Sequence, residues 1–215
     1  MSTDPHGHDH HDHDHAPISD EQGQVTRFEV LETALRELLD EKGMISNADI
    51  HGQINAMDTL NTELGAKIVA KAWVDPAFRE RLAANPRETL EEMGINIGQI
   101  ADLKVVQNSD ELHHVVTCTL CSCYPRMILG VPPAWYKSTA YRARIVREPR
   151  KVLLEFGVEL PNETKIRVLD STADLRFLVI PRRPAGTEDL DEEQLAALVT
   201  RDSMIGTGMA QQILR

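Results

Sequence analysis

The stretch "VTCTLCSCYP", Val116 to Pro125, contains all three cysteines of this 215-residue chain: Cys118, Cys121 and Cys123. Three cysteines cannot all pair with one another in disulfides. In a reducing compartment, clustered cysteines are more often metal ligands or reactive thiols than a structural staple. The C-x-x-C-x-C spacing therefore predicts a local site whose chemistry depends on sulfur.

Two familiar kinds of sulfur site match the spacing only in part. A structural zinc site takes four tetrahedral ligands, so His113 or His114 would have to supply the fourth. A redox-active C-x-x-C pair usually lies at the start of a helix that follows a strand. Here Tyr124 and Pro125 follow the cysteines directly, and no helix is predicted to begin at once.

A third kind of site needs no distant ligand. The backbone nitrogens of Ser122 and Cys123 lie between the sulfurs of Cys121 and Cys123, so a metal bound by both thiolates would also lie close to those amides. Soft thiolate donors favour transition metals such as iron or cobalt. Three sulfurs and two amide nitrogens would form a square-pyramidal cup with the sixth position open, as a Lewis-acid catalyst requires.

The overall composition narrows the class of protein. A hydrophobic content of 41% with 27% charged residues is typical of a globular protein of one or two domains. The formal net charge of −11 argues against a nucleic-acid-binding surface, which is normally basic. The sequence contains no apolar run of the roughly 20 residues that would span a bilayer and no signal sequence, so we expect a cytoplasmic protein without a membrane segment.

The chain divides into three predicted segments. Residues 1–20 carry six of the nine histidines, alternating with aspartates, and are predicted to be a disordered tail that either binds divalent ions loosely or is merely solvated. Residues 21–75 are predicted to be a helical arm that packs on a partner subunit. Residues 76–215 are predicted to form a mixed domain of the α+β class.

Apolar spacing and capping residues predict the helices of the first hundred residues. One helix covers Phe28 to Leu39 and stops at Gly43, and a second run covers residues 47–73. Two short helices follow, capped by Asp75 and by Asn85, each of which precedes a proline.

The second half alternates between predicted strands and helices. The predicted strands are "LKVVQ", "HHVVT", "KIRVLD" and "LRFLVI", and Asp170 and Ser171 form the bend between the last two. A helical stretch between the second and third strands is broken at Pro149 and ends at Gly157. A final helix is capped by Asp191.

The residues around the cysteines resemble a known family. The motif "CTLCSC" is similar to the metal-binding claw of nitrile hydratase α subunits and of the related thiocyanate hydrolase γ subunit. The resemblance continues through "LGVPPAWYKSTAYRARIVREPRKVLLEFG", "IRVLDSTADLRFLVIPRRPAGT" and "LVTRDSMIG". It covers about residues 26–206 and implies the nitrile hydratase α-chain fold.

The resemblance implies a role for each ligand of the claw. Cys118 would be the axial thiolate, Cys121 would be oxidised to a sulfinic acid and Cys123 to a sulfenic acid. Ser122 and Cys123 would supply amide nitrogens. Thr119 resembles the cobalt type, which implies a non-corrin Co(III) ion rather than Fe(III).

Further site residues follow from matched positions. Gln99 and Arg176 match two family residues near the claw, and each also has a plain structural explanation, as a loop residue and a surface ion-pair residue respectively. Thr119, Tyr124 and Arg126 are candidates for lining the substrate pocket. "CSCYPR" is closer to the thiocyanate hydrolase pattern, and Arg126 would favour a polar or anionic substrate.

The implied activity is the hydration of a nitrile to its amide, with either water or the sulfenate oxygen of Cys123 as the nucleophile. The alternatives are a thiocyanate hydrolase γ subunit and, outside enzymes, a metal-carrier subunit. The implied partners are one β-type subunit, or a β chain split in two, which supplies arginines to the oxidised cysteines, and a cobalt-delivering metallochaperone.

Overall fold

In the computed structural model, the described residues are 26–50, 52, 61–98, 101–121 and 123–213. The predicted tail of residues 1–20 lies outside these ranges. No helix in the described ranges is long and apolar enough to cross a membrane.

The helices bear out most of the local signals in the sequence. Residues 47–50 are helical, and the longer or better-defined helices are α1 (Arg27–Glu41), α2 (Glu63–Val74), α3 (Pro76–Ala84), α4 (Pro86–Glu92), α5 (Arg126–Leu129), α6 (Ala134–Lys137), α7 (Thr139–Ile145), α8 (Pro149–Glu155) and α9 (Glu192–Ala196). A 3₁₀ turn covers Ser203–Ile205.

Capping explains where several helices begin. The Asp75 carboxylate accepts a hydrogen bond from the Phe78 backbone, and Asp191 forms a full capping box with Gln194. Asn85 is the N-cap residue of α4 as predicted, but its side chain makes no capping hydrogen bond. The Asn85 carbonyl instead accepts from the backbone and the hydroxyl of Thr89.

Two predicted helical runs are shorter than expected. The run over residues 47–73 is interrupted at 61–62, where the Asn61 side chain accepts a hydrogen bond from the backbone of Glu63 and starts α2 afresh. The stretch before Pro149 is also broken at Ser138, whose hydroxyl accepts from the Tyr141 backbone and caps α7.

All four predicted strands are present, and they pair across long stretches of sequence. They are β1 (Asp102–Gln107), β2 (Leu112–Thr117), β3 (Lys165–Asp170) and β4 (Leu175–Ile180). β1 pairs in parallel with β4, and β2 pairs in parallel with β3. The strands on either side of the Asp170–Ser171 bend therefore belong to different pairs, and the bend carries the chain from one pair to the other.

The core lies between these strand pairs and the helices. Helix α2 packs against α9, α3 and α5, and the Trp73 indole donates a 2.8 Å hydrogen bond to the Pro181 carbonyl just after β4. The structure thus places α2 with the core rather than with the predicted arm of residues 21–75. Helix α1, by contrast, has no buried residue. The mixture of helices and strands confirms the α+β class.

Candidate metal centre

The three cysteine sulfurs converge at one point. The Sγ atoms of Cys118 and Cys121 are 3.5 Å apart, those of Cys121 and Cys123 are 3.1 Å apart, and all three lie within 4.8 Å of one another. These separations exceed the roughly 2.05 Å of a disulfide bond. Cys118 and Cys123 are buried and Cys121 is exposed, so the group is open on one side.

The cysteine loop (residues 118–123) begins where β2 ends. Strand β3 runs beside β2, and the Ser171 backbone donates a 2.8 Å hydrogen bond to the Thr117 carbonyl at the last step of the pair. Inside the loop, the Cys121 amide donates to the Cys118 sulfur at 3.2 Å. The parallel pair therefore delivers the first cysteine, and a local turn brings in the second.

Thr119 fixes the middle of the cysteine loop. Its backbone N–H and its hydroxyl donate to the two carboxylate oxygens of Asp170, at 2.9 and 2.6 Å. The Arg142 guanidinium donates to the Thr119 carbonyl at 3.3 Å. The threonine that resembles the cobalt type thus holds the loop to the end of β3 and to α7.

Two buried phenols bind the backbone at the last residue of the cysteine loop and in the strand just before it. The Tyr136 hydroxyl donates to the Cys123 carbonyl at 2.9 Å, and the Tyr141 hydroxyl donates to the Val116 carbonyl at 2.7 Å. Burial raises the pKa of both phenols far above the ordinary value, so they remain protonated donors.

His113 and His114 are buried in a hydrogen-bond network of their own. Nε2–H of His113 donates to the Gly206 carbonyl at 2.7 Å, which leaves Nδ1 to accept from the Asn108 side-chain amide at 3.2 Å. The Asn108 oxygen accepts from the backbone of His114 at 2.7 Å. Burial lowers the pKa of both imidazoles. Neither histidine lies with the cysteines as the fourth ligand that a zinc site would need. Within the described ranges, the potential metal-ligand cluster consists of the three cysteines.

The charge around Cys123 is set by burial and by one arginine. Burial, with hydrogen bonds to the other two thiols, raises the pKa of the Cys123 thiol to about 12, while the positive charge of Arg176 acts in the opposite direction. The Arg176 guanidinium donates to the carbonyls of Thr172 and Leu175 and makes no ion pair with a described carboxylate. A metal ion that binds this sulfur as a thiolate would have to displace its proton.

The remaining predicted site residues are Ser122, Gln99, Tyr124 and Arg126. Ser122 and Gln99 lie outside the described ranges. The Arg87 guanidinium donates hydrogen bonds to the carbonyls of Gly98 and Ala101, the described residues on either side of 99–100. Tyr124 is buried, and its hydroxyl has no partner among the described residues. Arg126 is exposed at the start of α5.

The donor set fits a thiophilic transition metal. Three soft sulfur donors meet in one small space, and the loop that carries them is anchored from outside by β3, α6 and α7. Sequence spacing found the sulfurs because they are neighbours in the chain. It missed the anchors Asp170, Arg142, Tyr136 and Tyr141, which lie far away in sequence and carry no local signal of their role.

Comparisons with known proteins agree with this geometry. The profile of the family described as nitrile hydratase, alpha chain matches residues 26–208. The chain is 48% identical over 182 residues to the cobalt-containing nitrile hydratase subunit alpha of Pseudonocardia thermophila, covering 84% of this chain and 89% of that one. It is 46% identical over 205 residues to the thiocyanate hydrolase subunit gamma of Thiobacillus thioparus, covering 90% and 83% respectively.

A solved structure shares the fold as well. It is a double mutant of the Fe-type nitrile hydratase from Comamonas testosteroni Ni1, with a TM-score of 0.80, 41% identity and coverage of 87% of this chain and 94% of that chain. The match of the family profile over nearly all of the described residues, together with the converging claw, shows that this chain belongs to the nitrile hydratase α-chain family.

Proposed function

We propose that this chain is the metal-binding α subunit of a cobalt-type nitrile hydratase, which hydrates a nitrile to the corresponding amide. The observation that carries the proposal is the convergence of the sulfurs of Cys118, Cys121 and Cys123 at the end of β2. The proposed ligands are these three sulfurs and the backbone nitrogens of Ser122 and Cys123. A non-corrin Co(III) ion bound there would supply Lewis acidity toward the nitrile.

The residues of this chain have separate proposed tasks. Cys118 stays a thiolate. Cys121 is proposed to be oxidised to a sulfinic acid and Cys123 to a sulfenic acid, with dioxygen as the oxidant and source of the added oxygens, and these oxygens need hydrogen-bond donors around them. Arg176 holds a positive charge near the Cys123 sulfur, which favours an anionic oxygen on that residue. Gln99 is proposed to act beside it, as its position in the family pattern implies.

Cobalt is the proposed metal because of Thr119 and because of the named relatives. Thr119 has the cobalt-type identity, and its hydroxyl is bound to Asp170, so the residue has a structural task in holding the loop. The Pseudonocardia thermophila relative is named as cobalt-containing. The Fe-type structural neighbour shows that the fold also occurs with iron, so the metal content has to be measured.

A partner subunit is the second half of the proposal. The cysteine loop is open at Cys121, and Leu120 beside it is 81% exposed. Helix α1 adds an apolar stripe with no cover in the described structure. We propose that a β-type subunit, whole or split in two, packs on α1 and supplies arginines to the oxidised cysteines, and that a metallochaperone delivers cobalt.

The test is to express the chain with its β-type partner in the presence of cobalt and to analyse the peptide that contains Cys118, Cys121 and Cys123. We expect one cobalt per chain, two added oxygens on Cys121 and one on Cys123, and release of amide from a nitrile. The Cys123→Ser variant is the matched control and should have neither cobalt nor activity. Unmodified cysteines in a cobalt-free, inactive complex would contradict the proposal.

Thiocyanate hydrolysis is the second candidate, favoured by one observation. Arg126 lies exposed at the start of α5, three residues after Cys123, where a cationic side chain suits an anionic substrate. The same complex should therefore be assayed with thiocyanate. Turnover of thiocyanate in preference to nitriles, lost in Arg126→Trp, would assign the chain to the second activity.

A further inference from the structure

Tyrosine hydroxyls donate to the backbone on both sides of the cysteine cluster, at Val116 before it and at Cys123, its last residue. Tyr141 donates to Val116, which lies within β2 and is paired with Leu169 of β3. Tyr136 donates to Cys123, which lies beyond the strand in a stretch without regular secondary structure. One phenol therefore binds a carbonyl that the sheet already positions, and the other binds a metal-ligand candidate that the sheet does not position.

Both phenols are fixed by packing. Tyr136 is fully buried, and its ring lies 5.9 Å from that of Tyr141 and 5.2 Å, edge to face, from that of Tyr124. Trp135 packs edge to face on Tyr141 at 4.9 Å. Ser138 caps α7 between the two tyrosines. A donor held this firmly can set the orientation of its acceptor.

The orientation of the Cys123 carbonyl is coupled to the orientation of the rest of the residue. A hydrogen bond to this carbonyl restricts rotation of Cys123 about its Cα–C bond, and therefore restricts the directions of the Cα–N and Cα–Cβ bonds that carry the backbone nitrogen and the sulfur. Both of those atoms are proposed ligands. A six-residue loop without ladder hydrogen bonds has many alternative conformations, and ligand geometry in a metal site must hold to about half an ångström.

We infer that Tyr136 is a positioning residue for the metal centre, which orients Cys123 through its carbonyl, and that Tyr141 is a structural counterpart without this effect. The inference rests on the proposed function, because it needs Cys123 to be a metal ligand. It predicts that removal of the Tyr136 hydroxyl changes the metal site, whereas removal of the Tyr141 hydroxyl changes only the stability of the fold.

The test compares Tyr136→Phe with Tyr141→Phe in the full chain under anaerobic conditions. Each variant loses one buried hydroxyl from the same aromatic cluster and keeps its ring, so the two are closely matched. Co²⁺ is titrated into the reduced chain, and the thiolate-to-cobalt charge-transfer absorption gives both the affinity and the ligand geometry. Thermal unfolding of the metal-free chains is measured alongside.

We expect Tyr136→Phe to weaken Co²⁺ binding by about 10-fold or more and to shift the charge-transfer band, in line with the effect of other outer-shell partners. Tyr141→Phe should bind Co²⁺ as the unaltered chain does, although both variants unfold at lower temperature. Equal affinities and spectra for the two variants would overturn the inference. A complex of the unaltered chain, co-expressed with its partner, that contains no cobalt would instead contradict the proposed function, so the two failures are distinguishable.

Discussion

Gly206 illustrates how closely the chain packs behind the cysteine loop. It lies just after the 3₁₀ turn with φ +80°, and its carbonyl accepts the hydrogen bond of the His113 imidazole. A Cβ atom at this position would lie 1.9 Å from the carbonyl oxygen of His114. The residue must therefore be glycine for two reasons, its left-handed backbone and the absence of space next to β2.

A pair of glycine substitutions separates these two reasons. Gly94 has a similar φ of +75° but has no atom within 4 Å of its would-be Cβ. We expect Gly94→Ala to lower the free energy of unfolding by about 1–2 kcal/mol through backbone strain alone, and Gly206→Ala by about 3 kcal/mol or more. Urea unfolding followed by circular dichroism measures both. Equal losses would mean that the β2 backbone shifts freely away from Gly206.

At this scale the sequence predicts a residue's role only where its partners are close in the chain. The spacing of Cys118, Cys121 and Cys123 is itself the site, so the pattern located it. The sequence marks Thr119 as a sign of the metal type and as a candidate for the substrate pocket, but it does not predict the anchoring role of Thr119, because its partner Asp170 is 51 positions away. No local pattern records such a contact.

Among the elements, α1 is unusual in presenting its apolar side to solvent. Its apolar stripe, defined by Phe28, Leu31, Leu35 and Leu38, follows helical spacing, and each of these side chains is between 46% and 79% exposed. A capping box at Thr26 starts the helix, so local signals define it well. Since no residue in the described ranges buries this stripe, we propose that the partner subunit covers it.

Substitution within the stripe should separate assembly from folding. We expect Leu31→Glu with Leu35→Glu to leave the thermal unfolding of the isolated chain nearly unchanged, because neither residue is buried, and to abolish co-purification with the β-type partner. Thr33→Glu adds one negative charge on the opposite face of α1 and should assemble normally. A stripe variant that still co-purifies with the partner would show that α1 is not part of the interface.

The positions of the strands could be predicted from the sequence, but their pairing could not. Alternation and β-branched residues predicted all four strands, because these features describe local backbone preference. The pairing of β1 with β4 and of β2 with β3 depends on packing between distant segments, which local preference does not encode. The turn at Asp170 and Ser171 suggested neighbouring strands and in fact connects two separate pairs.

Across the whole molecule, the buried histidine pair links folding to pH. The pKa of His113 and of His114 is lowered in the fold from the ordinary 6.5, chiefly by burial, so the unfolded chain binds more protons as the pH falls. Their contribution to stability is complete above about pH 6.5 and is lost progressively below it. The loss is up to about 1.4 kcal/mol per pH unit for each histidine until the folded-state pKa is reached.

Urea unfolding at several pH values between 8 and 5 tests this linkage in the metal-free chain. We expect a free energy of unfolding that is flat above pH 7 and falls below pH 6.5, before the ordinary carboxyl range is reached. His114→Gln keeps hydrogen-bonding groups at the site but does not titrate, so its slope should be about half that of the unaltered chain. An unchanged slope would assign the pH dependence to other groups.

Because β2 pairs with a strand that follows much later in the sequence, the nascent chain carries β2 for some time without its partner. Thr119 leaves the ribosome 51 residues ahead of Asp170, its anchor, and at about 5–20 residues per second this interval lasts about 3–10 s. During that time β2 has no β3 beside it, and the three thiols lie on an unanchored segment. The anchored form of the loop therefore exists only after β3 has been synthesised, and until then the three thiols are held together by the local chain alone.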